Sequence, residues 1–472
     1  MNTPLTPPIK GLNDLGPESR AIATPWSRIV RGIGLGQHPV GFDPAEARRI
    51  RDAITLLQYR VGERDPYTRF TASLIDLILS STDPRSRTDH LQYESHVGKV
   101  TEAIRGIQNP YSRVVAGTIL LDAVAKLNID RAHVWGRTRD VPREILADLD
   151  TIRPDAIHDE NHGKHGDYER VAAWTAVFLA FRNLGLGERL AEDGRDRVHE
   201  ALASLKRIPT PFFRGRGGSM LLTAASFLGH GSLLREPEDH IGSTLSYLDS
   251  VDKLKIYPAF PSPMTPAFVK IYPLLTMLNA IGVTQNTEYL HFQGDRLHEA
   301  ATLMSALEPV ERTHMGLYYV MALHNLGCLT TVLPDIDQFV EPLVELWKDI
   351  DPGRDYFLYG ISYAYLAQLA YFTSRSDLIR EDMVDRMIGA FPRLEDTAEG
   401  RANRPYPFSY VLNVLSELGA SDRLLSPHPR YGNRAPYTWV VEHLSPGGHA
   451  ESARLYMLNH ALLSWALRTR PR

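Results

Sequence analysis

Apolar residues recur at helical spacing in a succession of long blocks. Each block is introduced by polar or Pro/Gly residues, and several are closed by a Leu-Gly or Ile-Gly step, a signature of helix ends. The clearest are DYERVAAWTAVFLAFRNLG ending at Gly185, GSMLLTAASFLG at Gly229, TPAFVKIYPLLTMLNAIG at Gly282, HMGLYYVMALHNLG at Gly327 and YPFSYVLNVLSELG at Gly419. DYFLYGISYAYLAQLAYFTS, ending near Thr373, and ESARLYMLNHALLSWAL, reaching Leu467, continue the series. Between them lie amphipathic segments: DRVHEALASLKRI, GDRLHEAATLMSAL, FVEPLVELWKDI and EDMVDRMIGAF. YTRFTASLIDLIL and YSRVVAGTILLDAVAKL read as earlier copies, and no alternating strand pattern competes.

The unit is a helical hairpin of about 45 residues, one helix buried and one half-exposed. The predicted fold is all-α: an α/α toroid over residues 61–472, preceded by an irregular arm and first helix over 1–60. An open solenoid satisfies the same period. The toroid is preferred because the buried helices carry polar-tipped aromatics: Tyr318, Tyr319, Tyr356, Tyr359, Tyr363, Tyr365, Tyr410, Tyr456 and His460. Such residues suit a helix with one face on a wall and another on a wet cavity.

Composition narrows the function classes. The 472 residues are 43% hydrophobic and 23% charged with a formal charge of −4, which gives no net attraction to nucleic acid or an anionic surface. The single cysteine, Cys328, excludes an intrachain disulfide and a multi-cysteine zinc site. No secretory leader and no run of about 18 apolar residues is read, so the expectation is a cytoplasmic protein without a membrane span. A homo-oligomer is left open. RGIGLGQHPVGF, with Gly32, Gly34 and Gly36, lacks the strand-then-helix context of a nucleotide loop. YGNRAPYTWVVEHLSPGGHAESARLY reads as a long connector or a lid.

The densest chemistry lies in HDENHGKHGDYERVAAW, where His158, Asp159, Glu160, Asn161, His162, His165 and Asp167 precede a helix. Loops at helix entrances commonly carry catalytic groups. The histidines and carboxylates have mixed spacing open to a metal, but HExxH is absent and no cofactor is expected.

Asn161-His162-Gly163, then Asp167, then an Ala-rich helix (Ala172, Ala173, Ala176, Leu179) resembles the Asn-His-Gly segment of α/α-toroid alginate and related uronate lyases. The resemblance implies that Asn161 helps neutralise a substrate carboxylate and that His162 takes part in proton transfer. It also implies an Arg shortly before the next buried helix, and Arg214 and Arg216 in PFFRGRGGSMLL are the candidates. Two features depart from the family: Ser226-Phe227 stands where a Tyr is expected, and no β-sandwich follows.

β-Elimination removes the proton beside a carboxylate, so it needs a base, a donor to the developing enolate and an acid for the leaving oxygen. His162 suits the base, since its ordinary pKa is about 6.5. Asn161 with Arg214 or Arg216 would supply the donors, His158 a further contact, and Tyr272, Tyr318 or Tyr410 the acid. The expected partner is a small acidic molecule or oligosaccharide. Two alternatives remain. One is a terpenoid or other small-molecule cyclase with an aromatic cavity; the strings nearest to its Asp-rich signature are ADLDT, with Asp148 and Asp150, and LSYLDSVDKL, whose Asp249 and Asp252 are spaced to hold Mg²⁺ and a diphosphate. The other is a non-catalytic helical-repeat scaffold.

Overall fold

A computed structural model describes residues 43–62, 65–82, 90–135, 139–153, 157–159, 164–250, 264–352, 356–393, 405–444 and 449–468. The fold is all-α. The first described helices of the chain are α1 (Pro44–Val61), α2 (Pro66–Thr82) and α3 (His90–Arg105). It continues with α4 (Pro110–Leu127), α5 (Val141–Asp150), α6 (Gly166–Leu184), α7 (Arg197–Arg207), α8 (Pro211–Phe227), α9 (His240–Leu248), α10 (Pro266–Val283), α11 (Arg296–Ser305) and α12 (Pro309–Asn325). It ends with α13 (Asp337–Asp349), α14 (Tyr356–Phe372), α15 (Glu381–Ala390), α16 (Pro405–Glu417), α17 (Pro436–Glu442) and α18 (His449–Arg468). One short antiparallel pair, β1 (Ile157–Asp159) and β2 (Lys164–His165), precedes α6. Five residues are too few to leave a period-2 pattern, which is why the hydrophobic pattern is silent on it.

The helices form two compact units. One is contiguous, 108–334; the other joins 43–107 to 335–468. In the contiguous unit the long apolar helices α4, α6, α8, α10 and α12 pack in a row, each on the next. The shorter helices α5, α7, α9 and α11 cover them. α7 shows why: Val198, Ala201, Leu202 and Leu205 are buried on one face, while charged residues fill the other. In the second unit α14, α16, α18 and α2 form the row, so the last described helix packs on the second described one. The connector before α18 is packed rather than loose where it is described. Tyr437 of α17 is buried and donates to the Ala53 carbonyl of α1 at 2.9 Å.

The ends of the row helices follow from local chemistry. Proline opens α2, α4, α8, α10, α12 and α16, where its missing N–H costs no helical bond. Left-handed residues stop seven of them: Asn128, Gly185, Gly229, Gln285, Gly327, Ser374 and Gly419. The residue after each returns its N–H to a carbonyl of the last turn, as Leu186 does to Phe181 at 2.8 Å. Gly282 departs from the expected role. It lies inside α10, and a Cβ there would meet the Asn325 carbonyl carbon at 2.6 Å, so this glycine serves close approach to α12.

α10 and α12 are held in register by three polar rungs. Glu311, 1% exposed, accepts from the backbone N–H and the hydroxyl of Thr265, both at 2.7 Å. The hydroxyls of Tyr272 and Tyr318 share a hydrogen bond of 2.8 Å. Asn325 donates to Asn279 at 2.6 Å. The rungs recur every seven residues on both helices, the spacing at which one face returns after two turns. α10 is also long and apolar enough to cross a membrane by length and composition, and 78% of its window is buried inside the protein.

Gly282→Ala is expected to destabilise the protein. The contact is with backbone, and overpacking of this kind costs about 1–3 kcal/mol, against about 1 kcal/mol that alanine gains in helix propensity. Glu311→Ala, which strips the acceptor from the Thr265 N–H, should cost about 1–3 kcal/mol. Denaturant unfolding of both variants against wild type measures these losses.

Candidate functional site

The string FFRGRGG forms the first half of α8, and its glycines decide what the arginines touch. A Cβ at Gly215 would meet Leu248 of α9 at 2.6 Å and Pro273 of α10 at 2.7 Å. At Gly218 it would meet Thr244 of α9 at 3.0 Å, and at Gly217 Val171 of α6 at 3.1 Å. Three helices therefore approach α8 more closely than any larger residue allows. The approach brings a tyrosine from a different helix to each arginine.

Arg216 reaches the Tyr272 ring of α10, its guanidinium carbon 4.8 Å from the centroid and 5.7 Å from that of Phe212. Tyr272 leads through its hydroxyl to Tyr318 of α12, the two rings edge to face at 4.9 Å. One turn before Tyr318, His314 lies parallel to it at 6.2 Å and meets Phe268 edge-on at 5.4 Å. Tyr168, in the first turn of α6, packs on Phe213 at 4.9 Å. Arg216 is half-buried, whereas Tyr168, Tyr272, His314 and Tyr318 are all buried. Four consecutive row helices thus contribute to one cluster.

Electrostatics follow the burial. Removal from water pushes the His314 imidazole down to about 3, and the nearby Arg216 charge acts in the same direction, so the ring is neutral at physiological pH. Burial raises the Tyr168 hydroxyl above the usual tyrosine range, partly opposed by Arg216. A cation beside paired hydroxyls can hold a carboxylate and pass a proton.

Arg214 stands two residues from Arg216, roughly 200° around the helix. It faces α9, with its guanidinium 4.4 Å from the Tyr247 ring and a donor to the Ser243 hydroxyl at 3.1 Å. The structure therefore brings Arg216, Tyr272 and Tyr318 together and sets Arg214 on another face. Tyr410 belongs to the other unit, where its hydroxyl lies 3.4 Å from that of Tyr406 and its ring 5.9 Å from Tyr365. The same unit holds a buried pair, Tyr67 and His460, with hydroxyl and imidazole 2.6 Å apart.

Asn161 and His162 lie outside the described residues, as do Gly32, Gly34, Gly36 and Asp252. His158 is placed in β1 by its backbone. Asp167 is 2% exposed and takes two bonds from Arg207, at 3.0 and 2.8 Å, tying the start of α6 to the end of α7. The described aspartates of the cyclase alternative are engaged in ion pairs. Asp148 accepts from Arg113, Asp150 from Arg195, and Asp249 is held by both Arg296 nitrogens at 2.6 and 2.9 Å. α9 ends at Leu248 with Asp249 as its cap, and Asp252 lies outside the described residues. Among the described residues no group of three or more His, Cys, Asp or Glu is placed to hold a metal. The sequence reading passed over Tyr168 and His314, although His314 stands four residues before Tyr318, on the same helical face.

No protein-family model matches the chain, and no curated protein matches it. Among solved structures, the crystal structure of Ton1535 from Thermococcus onnurineus NA1 matches at 13% identity over 74% of this chain and 82% of that one. The TM-score is 0.29, too low for the likeness to carry an argument.

His314 makes the cluster acid-sensitive. Its folded pKa is depressed, so its contribution to stability is full above the unfolded value near 6.5 and is lost as pH falls towards about 3. Between pH 7 and pH 5 the loss amounts to roughly 2 kcal/mol. His314→Phe should flatten the pH dependence of the thermal midpoint over that window relative to wild type.

Proposed function

We propose that the cluster around Arg216 binds the carboxylate of an acidic sugar, or of a related small molecule, and supports β-elimination beside it. The observation that carries this reading is the half-buried Arg216 guanidinium over Tyr272, whose hydroxyl is bonded to that of Tyr318 at 2.8 Å. In the proposed step a base takes the proton from the carbon next to the carboxylate. The electron pair moves into an enolate-like carboxylate stabilised by Arg216. As the carbon–oxygen bond at the β position breaks, the tyrosine pair delivers a proton to the leaving oxygen.

His162 is proposed as the base and Asn161 as a second donor to the carboxylate, both from the resemblance of their segment to uronate lyases. That segment runs directly into α6, whose Tyr168 lies in the cluster six residues after His162. The acid is assigned to Tyr272 and Tyr318 in preference to Tyr410 because of the arginine beside them. An α/α toroid is part of the proposal, and the row of long helices backed by shorter ones in the contiguous unit is the pattern that supports it. The observations favour elimination over carbocation cyclisation. A guanidinium already covers the Tyr272 face, and a second cation there would be repelled.

The test is an ultraviolet assay for the conjugated double bond that elimination creates, run on a panel of uronate oligomers and other acidic saccharides. Wild type should generate the chromophore. Arg216→Gln should lower kcat/KM by about 100-fold or more, and Tyr272→Phe by roughly 100-fold. Silence of folded wild-type protein across the panel overturns the reading.

A further inference from the structure

Among the described residues Arg214 is a cation without a counter-anion. Its contacts are neutral: the Tyr247 ring at 4.4 Å, and Ser243, whose hydroxyl accepts at 3.1 Å. Its Nε is buried and makes no hydrogen bond. Burial lowers its pKa from the ordinary arginine value, and the nearby Tyr247 only partly offsets this. A desolvated guanidinium normally meets a carboxylate, as the buried Arg296 meets Asp249 in the same unit. Burial, with the Lys206 and Arg214 charges acting the same way, pushes the His240 imidazole down to about 4, so it is neutral beside the guanidinium at physiological pH.

The geometry also presents donors. Stacking on Tyr247 fixes the plane of the fork, while the Tyr247 hydroxyl donates to the Pro209 carbonyl at 2.6 Å and so holds the platform. Ser243 is exposed, and its hydroxyl proton is not used by the bond it accepts from Arg214. A fixed fork next to a hydroxyl donor, open to solvent on one side, matches an oxyanion.

We propose that Arg214 and Ser243 form an oxyanion-binding site, on a different face of α8 from Arg216, that takes a phosphate or carboxylate group of a small ligand. The site stands whether or not the elimination reading holds, since it uses none of that cluster's side chains. Both ligand sources share the same chemistry, a compact anion with at least two oxygens for the fork and the hydroxyl.

The experiment is titration calorimetry and thermal unfolding of the full chain with inorganic phosphate in one arm and acetate in the other. Ionic strength is held constant with chloride. Saturable binding and a raised thermal midpoint are expected for wild type in at least one arm, and the arm that responds identifies the source. Arg214→Gln should weaken that binding about tenfold or more, and Ser243→Ala should weaken it less. Arg214→Lys keeps the charge and guards against misfolding of the Gln variant; it should retain part of the affinity. The proposal is overturned if wild type binds neither anion. It is equally overturned if Arg214→Gln and Arg214→Lys, folded by circular dichroism, bind as tightly as wild type.

Discussion

Three hydrogen-bonded rungs between α10 and α12, at Thr265–Glu311, Tyr272–Tyr318 and Asn279–Asn325, constrain everything near the proposed site. Apolar packing alone is tolerant of sliding by a turn, because leucines and isoleucines interdigitate in several registers. Buried polar groups are not, since each left unpaired costs its full desolvation. A slip of one residue along either helix would break all three rungs together. The middle rung is the tyrosine pair beside Arg216, so a register device and a candidate proton relay are the same two side chains.

The arginines of α8 show the same economy on a smaller scale. Small residues flank and follow them, letting α9 and α10 come close enough to offer one tyrosine each. Two identical side chains, two positions apart, thereby enter different surroundings. One joins an aromatic cluster of four helices; the other is left stacked and unpaired near the surface. Their chemistry is set by the neighbours that the glycines admit.

Much of the repeat was legible because Pro and Gly punctuate it: proline has no N–H to give and left-handed glycine carries no Cβ to clash. The exception was Gly282, where the same residue type serves helix contact. Composition cannot separate these uses, since both ask only for the absence of a side chain. Within the site, Arg216 was expected just before a helix and lies inside α8, whereas Tyr272 and Tyr318 were visible as polar groups on apolar helices. Their mutual contact was not, because it depends on the rotation of one helix against the next. Arg214 and Arg216 could not be told apart for that reason. His314 escaped notice because a histidine amid apolar neighbours resembles any core position until its partners are known. Asn161 and His162, the residues that carry the resemblance to uronate lyases, lie outside the described residues.

The pairing of α18 with α2 has a consequence for how the chain is made. Residues 108–334 can complete their own row as they leave the ribosome, because every helix packs on one already synthesised. Residues 43–107 cannot. Their apolar face waits for helices encoded more than two hundred residues later. At about 5–20 residues per second, that wait is on the order of tens of seconds. During biosynthesis the amino-terminal helices are therefore the part of this protein with most need of a chaperone.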